Sequence, residues 1–436
     1  MTTLANWFLG RPETHERNLF LTSLGNADSD LHDIFLKASS ALLEDGDVDG
    51  ATLCFRIARP TLAAGHEFAW TSQHDDLLTY CRERQHPFYL VPKCDVAPMD
   101  ELVATSSRPS YICGLPGGWV AGQSYGPTSH DGTLFWERSV FNVSRAQEFD
   151  SCDRYPSIAS ASRARLAFRV SGRSKHGPAI LIGDSTNFGH WLLSFMARMA
   201  LVDQVPELRQ LPVVVGKSSP RFVYECLDLM GYGPDRQIRL GHCELAQFEM
   251  LWVPTMLFCG LRDSRQIYWS PECLNYVRAR LGANSATDPR SKVSRRRLMI
   301  SRGTATRRRM LNEDAVYQAL RPLGFELVDP STMSMREQVD AASSAECIVG
   351  AFGASMALSY LAPPESKIIE MAFPGLTMMV QRPICAALSQ DYRCVQGRTV
   401  RNAHNNLYDL ERHQSRDDFI VDPSKVSAAV NEAISS

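Results

Sequence analysis

Three stretches of this sequence hold residues whose types and spacing could do chemistry. The first is Ile300-Ser301-Arg302-Gly303, followed by Arg307-Arg308-Arg309-Met310-Leu311-Asn312-Glu313. Arg302 leaves the end of a predicted strand, and the arginine triplet lies just ahead of a predicted helix. Guanidinium groups offer forked donors to phosphate oxygens and a helix start adds partial positive charge, so a diphosphate is the matching guest. Nine Arg or Lys and no acid lie between Arg290 and Arg309. A solvated basic linker accounts for Arg290 to Arg297. At Arg302, Arg308 and Arg309, placed at the mouth of a sheet, phosphate contact is the stronger reading.

The second stretch is Cys347 to Met356, a buried strand running into a glycine-containing turn and a small-residue helix. Gly350 and Gly353 let the backbone approach a ligand, and the amides of Ala354 and Ser355 would point at an anion. Tight packing alone also explains glycines at such a turn, and the spacing is not the dinucleotide fingerprint. The third is Asn187-Phe188-Gly189-His190-Trp191-Leu192-Leu193. Asn187 can cap a helix whose positive end keeps His190 neutral, as a general base must be, although a lone histidine also serves as a structural hydrogen-bonder.

Other matches dissolve on inspection. Asp45-Gly46-Asp47-Val48-Asp49-Gly50 opens like a calcium loop, but Arg56 stands where a bidentate Glu is required. That run and Asp28-Ser29-Asp30 imitate a D-x-D metal motif without following a buried strand, and read as turns and caps. Gly122-Gln123-Ser124-Tyr125-Gly126 matches a nucleophile elbow, yet the following Pro127-Thr128-Ser129-His130-Asp131-Gly132 cannot start the helix that an elbow needs.

These groups require parallel sheets to hold them. Apolar strands 179–182, 212–215 and 250–253 alternate with helical stretches 189–203 and 220–230, and a second series of strands (298–301, 325–328, 347–350, 367–371) begins after a polar break at 282–296. Two such units in series form a cleft at the carboxyl ends of their strands. Residues 87 to 142 read as short β-rich pieces, and residues 30 to 60 as a helical hairpin ended by Pro60. The expected division is a helical accessory segment at 1–62, an acceptor-side Rossmann-like lobe with its β-rich part at 63–285, and a nucleotide-sugar-binding Rossmann-like lobe at 286–436.

The chain has 436 residues, 46 basic and 48 acidic, and a net charge of -2, which excludes working by overall attraction to nucleic acid or anionic lipid. Its size suits two lobes, each with its own core. Residues 1 to 17 lack the apolar core of a secretory signal, no apolar run nears the ~20 residues of a membrane span, and the 12 cysteines contain no C-x-x-C pair. A cytoplasmic chain with reduced thiols is expected.

Taken in order, residues 187–193, Ile300-Ser301-Arg302, residues 308–313, residues 323–330, Glu337-Gln338-Val339, residues 348–354 and Ile368-Ile369-Glu370 resemble the signature of glycosyltransferase family 61, of the bacterial capsular polysaccharide biosynthesis type. The likeness covers roughly residues 85 to 400. It implies an α/β fold of two Rossmann-like domains facing a cleft (glycosyltransferase type B), a nucleotide sugar held by the second domain, no metal or other cofactor, and inversion at C1 of a hexose or pentose. Arg302, with Arg308 or Arg309, would neutralise the leaving diphosphate, the Gly353 turn with Ala354 and Ser355 would add amides, Glu370 would take the ribose hydroxyls, and Asn187 would lie on the ligand side. His190 would be the base.

The implied acceptor is a glycan or lipid-linked glycan, with no nucleic acid, and the N-terminal hairpin offers a surface for a protein partner or a peripheral contact at the inner membrane. Two positions depart from the family pattern. Phe352 replaces a His, and Ser194 replaces an Asp. Either Asp184 or Asp203 supplies the missing carboxylate, or the chain is a nucleotide-sugar-binding scaffold without turnover.

Overall fold

The computed structural model describes residues 66–73, 77–94, 97–98, 109–122, 125–136, 165–255, 257–260, 267–283, 295–302, 305, 308–373, 380–400 and 417–435. The hairpin expected at 30–60, both D-x-D runs, Ser124, Gly303, Arg307 and residues 290–294 lie outside them. Two sheets organise the rest. In the first the strands run Gln237–Leu240, Val213–Gly216, Ala179–Leu181, Met250–Pro254, Tyr111–Pro116 and Phe88–Leu90. The first four are parallel, and the last two join antiparallel at the edge.

The second sheet is wholly parallel: Phe325–Val328, Arg296–Ile300, Ala345–Ala351, Lys367–Ala372, Asp391–Gln396. The β-rich pieces at Phe88–Leu90 and Tyr111–Pro116 therefore complete the first sheet. Trp119–Ala121 and Thr133–Trp136 belong to two separate three-stranded sheets. The chain is thus mixed α/β with several parallel pairings, compatible with an α/β glycosyltransferase. No described helix is long and apolar enough to cross a membrane.

Strand alternation divides the interior. Ile180, Val213, Val215, Trp252, Leu298, Ile300, Ile348 and Ile368 all feed one continuous apolar cluster, together with the helices Arg221–Leu229, Pro271–Arg280 and Met335–Ser343. The opposite face of the first sheet (Leu181, Val214, Val253) packs a second cluster, and that of the second sheet (Met299, Val349, Ile369, Met371) a third. Each sheet thus has an apolar cluster of its own, and the central cluster is common to both. Burying a Leu- or Ile-sized side chain stabilises by about 1.5–3 kcal/mol, so this shared layer dominates the union of the sheets. Polar ties reinforce it. Arg278, almost fully buried, donates to the Ala362 carbonyl at 2.8 Å, and the Glu225 carboxylate accepts from the first amide of Met335–Ser343 at 2.7 Å.

Candidate functional site

In the second sheet Arg296–Ile300 lies between Phe325–Val328 and Ala345–Ala351, so consecutive connections leave it and its neighbour in opposite directions. A crevice opens at such a switch point, outside the carboxyl ends of the strands. Those ends are Ser301-Arg302 and Phe352-Gly353. The Glu313 carboxylate accepts from Ser301 Oγ at 2.6 Å and from the Arg302 amide at 2.8 Å, fixing the backbone from which Arg302 projects. Arg302 Nη1 then donates to the Phe352 carbonyl at 3.0 Å. Its guanidinium lies directly on the bare Cα of Gly353, where any Cβ would overlap it.

Arg308 stands over the Phe352 ring, 5.1 Å from its centroid, on a backbone with φ +55°, a conformation rare for a long side chain. Phe352 thus serves both arginines, one through its carbonyl and one through its ring. Burial and the neighbouring Arg308 push the Arg302 guanidinium down to about 10, against the pull of Glu313. Two cations held in mutual repulsion favour an anion between them. Ala354 and Ser355, both half-exposed, begin the helical segment Ala354–Leu361 directly beyond Gly353.

Replacing Gly353 by Ala is expected to evict Arg302 and weaken nucleoside diphosphate binding by about 10- to 100-fold, the worth of a charge-assisted contact. Isothermal titration measures this, with the melting temperature of the unliganded chain as the control for folding.

Arg309 is placed differently from its two companions. Its guanidinium and amide grip the Asp418 carboxylate at 2.7, 3.1 and 2.9 Å, which ties this turn to the strand Asp418–Ile420. Glu370 is also placed otherwise than a ribose-facing carboxylate would be. Alternation along Lys367–Ala372 turns it inward with Ile368, it is 1% exposed, and its Oε2 accepts from Tyr392 Oη at 2.7 Å. Burial pushes this carboxyl up to about 7, against the Tyr392 hydrogen bond. Binding a ribose would require this nearly fully buried carboxylate to be uncovered.

The other mouth lies at the end of Ala179–Leu181. Gly183 has φ +89°, and a Cβ there would come 2.4–2.6 Å from the Phe195 ring, so only glycine makes this turn. Asp184 follows, its Oδ1 accepting from Ser219 Oγ at 2.8 Å. Burial pushes its carboxyl above the usual range, opposed by hydrogen bonds from Ser219 and the Ser185 amide. Asn187 caps the next helix, its Oδ1 accepting from the His190 amide at 3.2 Å. Burial lowers the half-buried His190 imidazole below its ordinary value, which keeps it neutral near pH 7.

The helix from Phe188 to Asp203 contains a π turn over Trp191–Phe195, a register frequent at functional sites. Ser194 sits in that turn, fully buried. Asp203 ends the helix about 20 Å beyond His190 at 1.5 Å per residue, and pairs with Arg209 at 3.8 Å. Of the two carboxylates that could replace the one absent at position 194, only Asp184 is at the mouth. A Cβ on Gly189 would lie 3.7 Å from Ala357 Cβ, so the His190 turn abuts the segment Ala354–Leu361 and the two mouths adjoin.

Sequence reasoning did not find Ser219 or Tyr224 as parts of these mouths, and it quoted Glu313 within the first stretch without giving it a role. Tyr125 entered the sequence reading only as part of the rejected elbow match; its backbone has φ +47° and its hydroxyl donates to the Leu240 carbonyl at 2.8 Å. Among the described residues no group of three His, Cys, Asp or Glu side chains gathers as a metal site.

Parallel sheets with adjoining carboxyl-end crevices, one basic and one bearing a carboxylate and an imidazole, make an α/β scaffold suited to moving a group off a phosphorylated donor. Residues 188–369 match the family model described as Glycosyltransferase 61. That span runs from the His190 turn through Arg302 and Gly353, and it supports a glycosyltransferase. No curated protein matches the chain.

Proposed function

We propose that this protein is an inverting glycosyltransferase that moves a hexose or pentose from a nucleotide sugar to a hydroxyl of a glycan or polysaccharide acceptor, without a metal. The observation that carries the reading is the guanidinium of Arg302 seated on Gly353 with Arg308 beside it, at the switch point of a parallel sheet. The leaving diphosphate would bring its charge to these two cations and to the start of Ala354–Leu361, where developing negative charge is stabilised by fixed donors. The acceptor hydroxyl gives its proton to the Asp184 carboxylate, its oxygen forms the bond to C1, and the bond from C1 to the diphosphate oxygen breaks. Neutral His190, in the same mouth, orients the acceptor by hydrogen bonding. Synthesis of a capsular or other surface polysaccharide in the cytoplasm is the setting that the family resemblance favours.

The test is thermal stabilisation of the full chain by a panel of nucleoside diphosphates and nucleotide sugars, with EDTA and then with Mg²⁺ or Mn²⁺. A ligand at 100 times its Kd stabilises by about 2.7 kcal/mol, which raises Tm by several degrees. The expected result is a selective shift for one nucleotide in EDTA. A shift only with metal overturns metal independence, and none under any condition overturns the donor site. Release of free sugar or transfer to an acceptor then separates an enzyme from a binding scaffold.

A further inference from the structure

The Asp184 carboxylate is joined through Ser219 to a hydrogen-bond network that includes Gly216 and Tyr224. Ser219 Oγ lies 2.8 Å from Asp184 Oδ1 and 3.0 Å from the Gly216 carbonyl, and it has a single proton to give. Tyr224 resolves the competition. Its hydroxyl donates to that same Gly216 carbonyl at 2.5 Å and accepts from the Ser219 amide at 3.2 Å. With one lone pair of the carbonyl already supplied by Tyr224, the ionised carboxylate is the stronger acceptor for the single Ser219 proton. Gly216 makes the space, since a methyl group on it would come 2.7 Å from Asp184 Oδ2, 2.5 Å from Ser219 Oγ and 3.0 Å from Tyr125 Oη.

We infer that Ser219, Tyr224 and Gly216 are positioning residues that seat the Asp184 carboxylate, with Oδ1 tied down by Ser219 and Oδ2 lodged beside Gly216, while the Ser185 amide adds a further donor. This rests on the reading of Asp184 as the proton acceptor, but the seat itself can be tested apart from it. The titratable groups near Asp184 include the Tyr125 and Tyr224 hydroxyls, with Glu244 beyond Tyr125 and Arg239 4.3 Å over the Tyr224 ring, and the His190 imidazole shares the mouth. None of the three acidic groups contributes a positive charge that could replace the Ser219 proton. Burial raises the carboxyl while the Ser219 bond opposes that rise. Removing the bond therefore makes Asp184 hold its proton to higher pH, and a base that must be ionised loses its function over a wider acid range.

The experiment follows the Asp184 carboxyl by difference infrared titration of the full chain, its band assigned by loss in Asp184→Asn, and needs no ligand. In Ser219→Ala the midpoint should move up. Ser219→Thr, which keeps a hydroxyl, should restore it. Tyr224→Phe, which removes one oxygen and lets the Ser219 proton turn to Gly216, should move it in the same direction by less. In the transferase assay the acid limb of kcat/KM should follow these midpoints, with about tenfold lower activity for Ser219→Ala on the acid side, recovery at higher pH and unchanged donor KM. An unmoved midpoint in both Ser219→Ala and Tyr224→Phe overturns the seat. Full turnover by Asp184→Asn instead overturns the role of the carboxylate, whatever the midpoints do.

Discussion

Turnover by Asp184→Asn is expected to fall by about 10²- to 10⁴-fold, with nucleoside diphosphate affinity unchanged, because an amide cannot accept the acceptor proton yet leaves the shape of the mouth intact. The size of the effect is that of a positioned general base. His190→Ala should lose less, about tenfold, since a neutral imidazole that orients a hydroxyl contributes a single hydrogen bond. Paired kcat and KM measurements on the two variants decide the roles. A far larger loss for His190→Ala than for Asp184→Asn would return the base to the histidine. The pH dependence gives a second handle: turnover should decline as pH falls through the raised Asp184 value, because protonation removes the acceptor.

Arg302→Ala is expected to cost most of the nucleotide affinity, about 1.5–3 kcal/mol or 10- to 100-fold, as a half-buried guanidinium is the strongest donor in the crevice. Arg296→Ala is the internal control. Its guanidinium is paired with Glu326 on the outer strand at 2.6 and 3.1 Å, away from the mouth, and a partly exposed pair of this kind is worth about 0–1 kcal/mol to stability. Titration of the same nucleoside diphosphate into both variants separates them. Equal losses would mean that the basic stretch binds only through its summed charge. Arg302→Lys should recover part of the affinity, because charge returns without the fork.

Several parts of this arrangement were legible in the sequence for reasons that can be named. Apolar runs such as Ala179-Ile180-Leu181 and Ile348-Val349-Gly350 cannot avoid being buried strands in a parallel sheet. Arg302 and Gly353 were legible because residues at strand ends are set by the strands. Of the strands in the two main sheets, Gln237–Leu240 and Asp391–Gln396 escaped notice, since their polar side chains interrupt the apolar run. The inward turn of Glu370 followed from its parity with Ile368, but parity is ambiguous in a strand buried on both faces. Contacts made across the chain left no local trace. Arg309 meets Asp418 109 residues away, and Asp184 meets Ser219 35 residues away. Phe352 looked like a loss, because a family pattern records a missing imidazole and not the cation that an aromatic ring can hold.

The common apolar layer between the sheets also governs how substrates come and go. A molecule that works as a pair of jaws needs a seam that water can enter cheaply, and here the seam is filled by Ile180, Val215, Ile300, Ile348 and their neighbours. Wetting even one such side chain on each swing would cost about 1.5–3 kcal/mol. Any swing that opened the two sheets against each other would carry that cost for every side chain exposed, so the proposed transfer would take place in a crevice whose walls keep their positions.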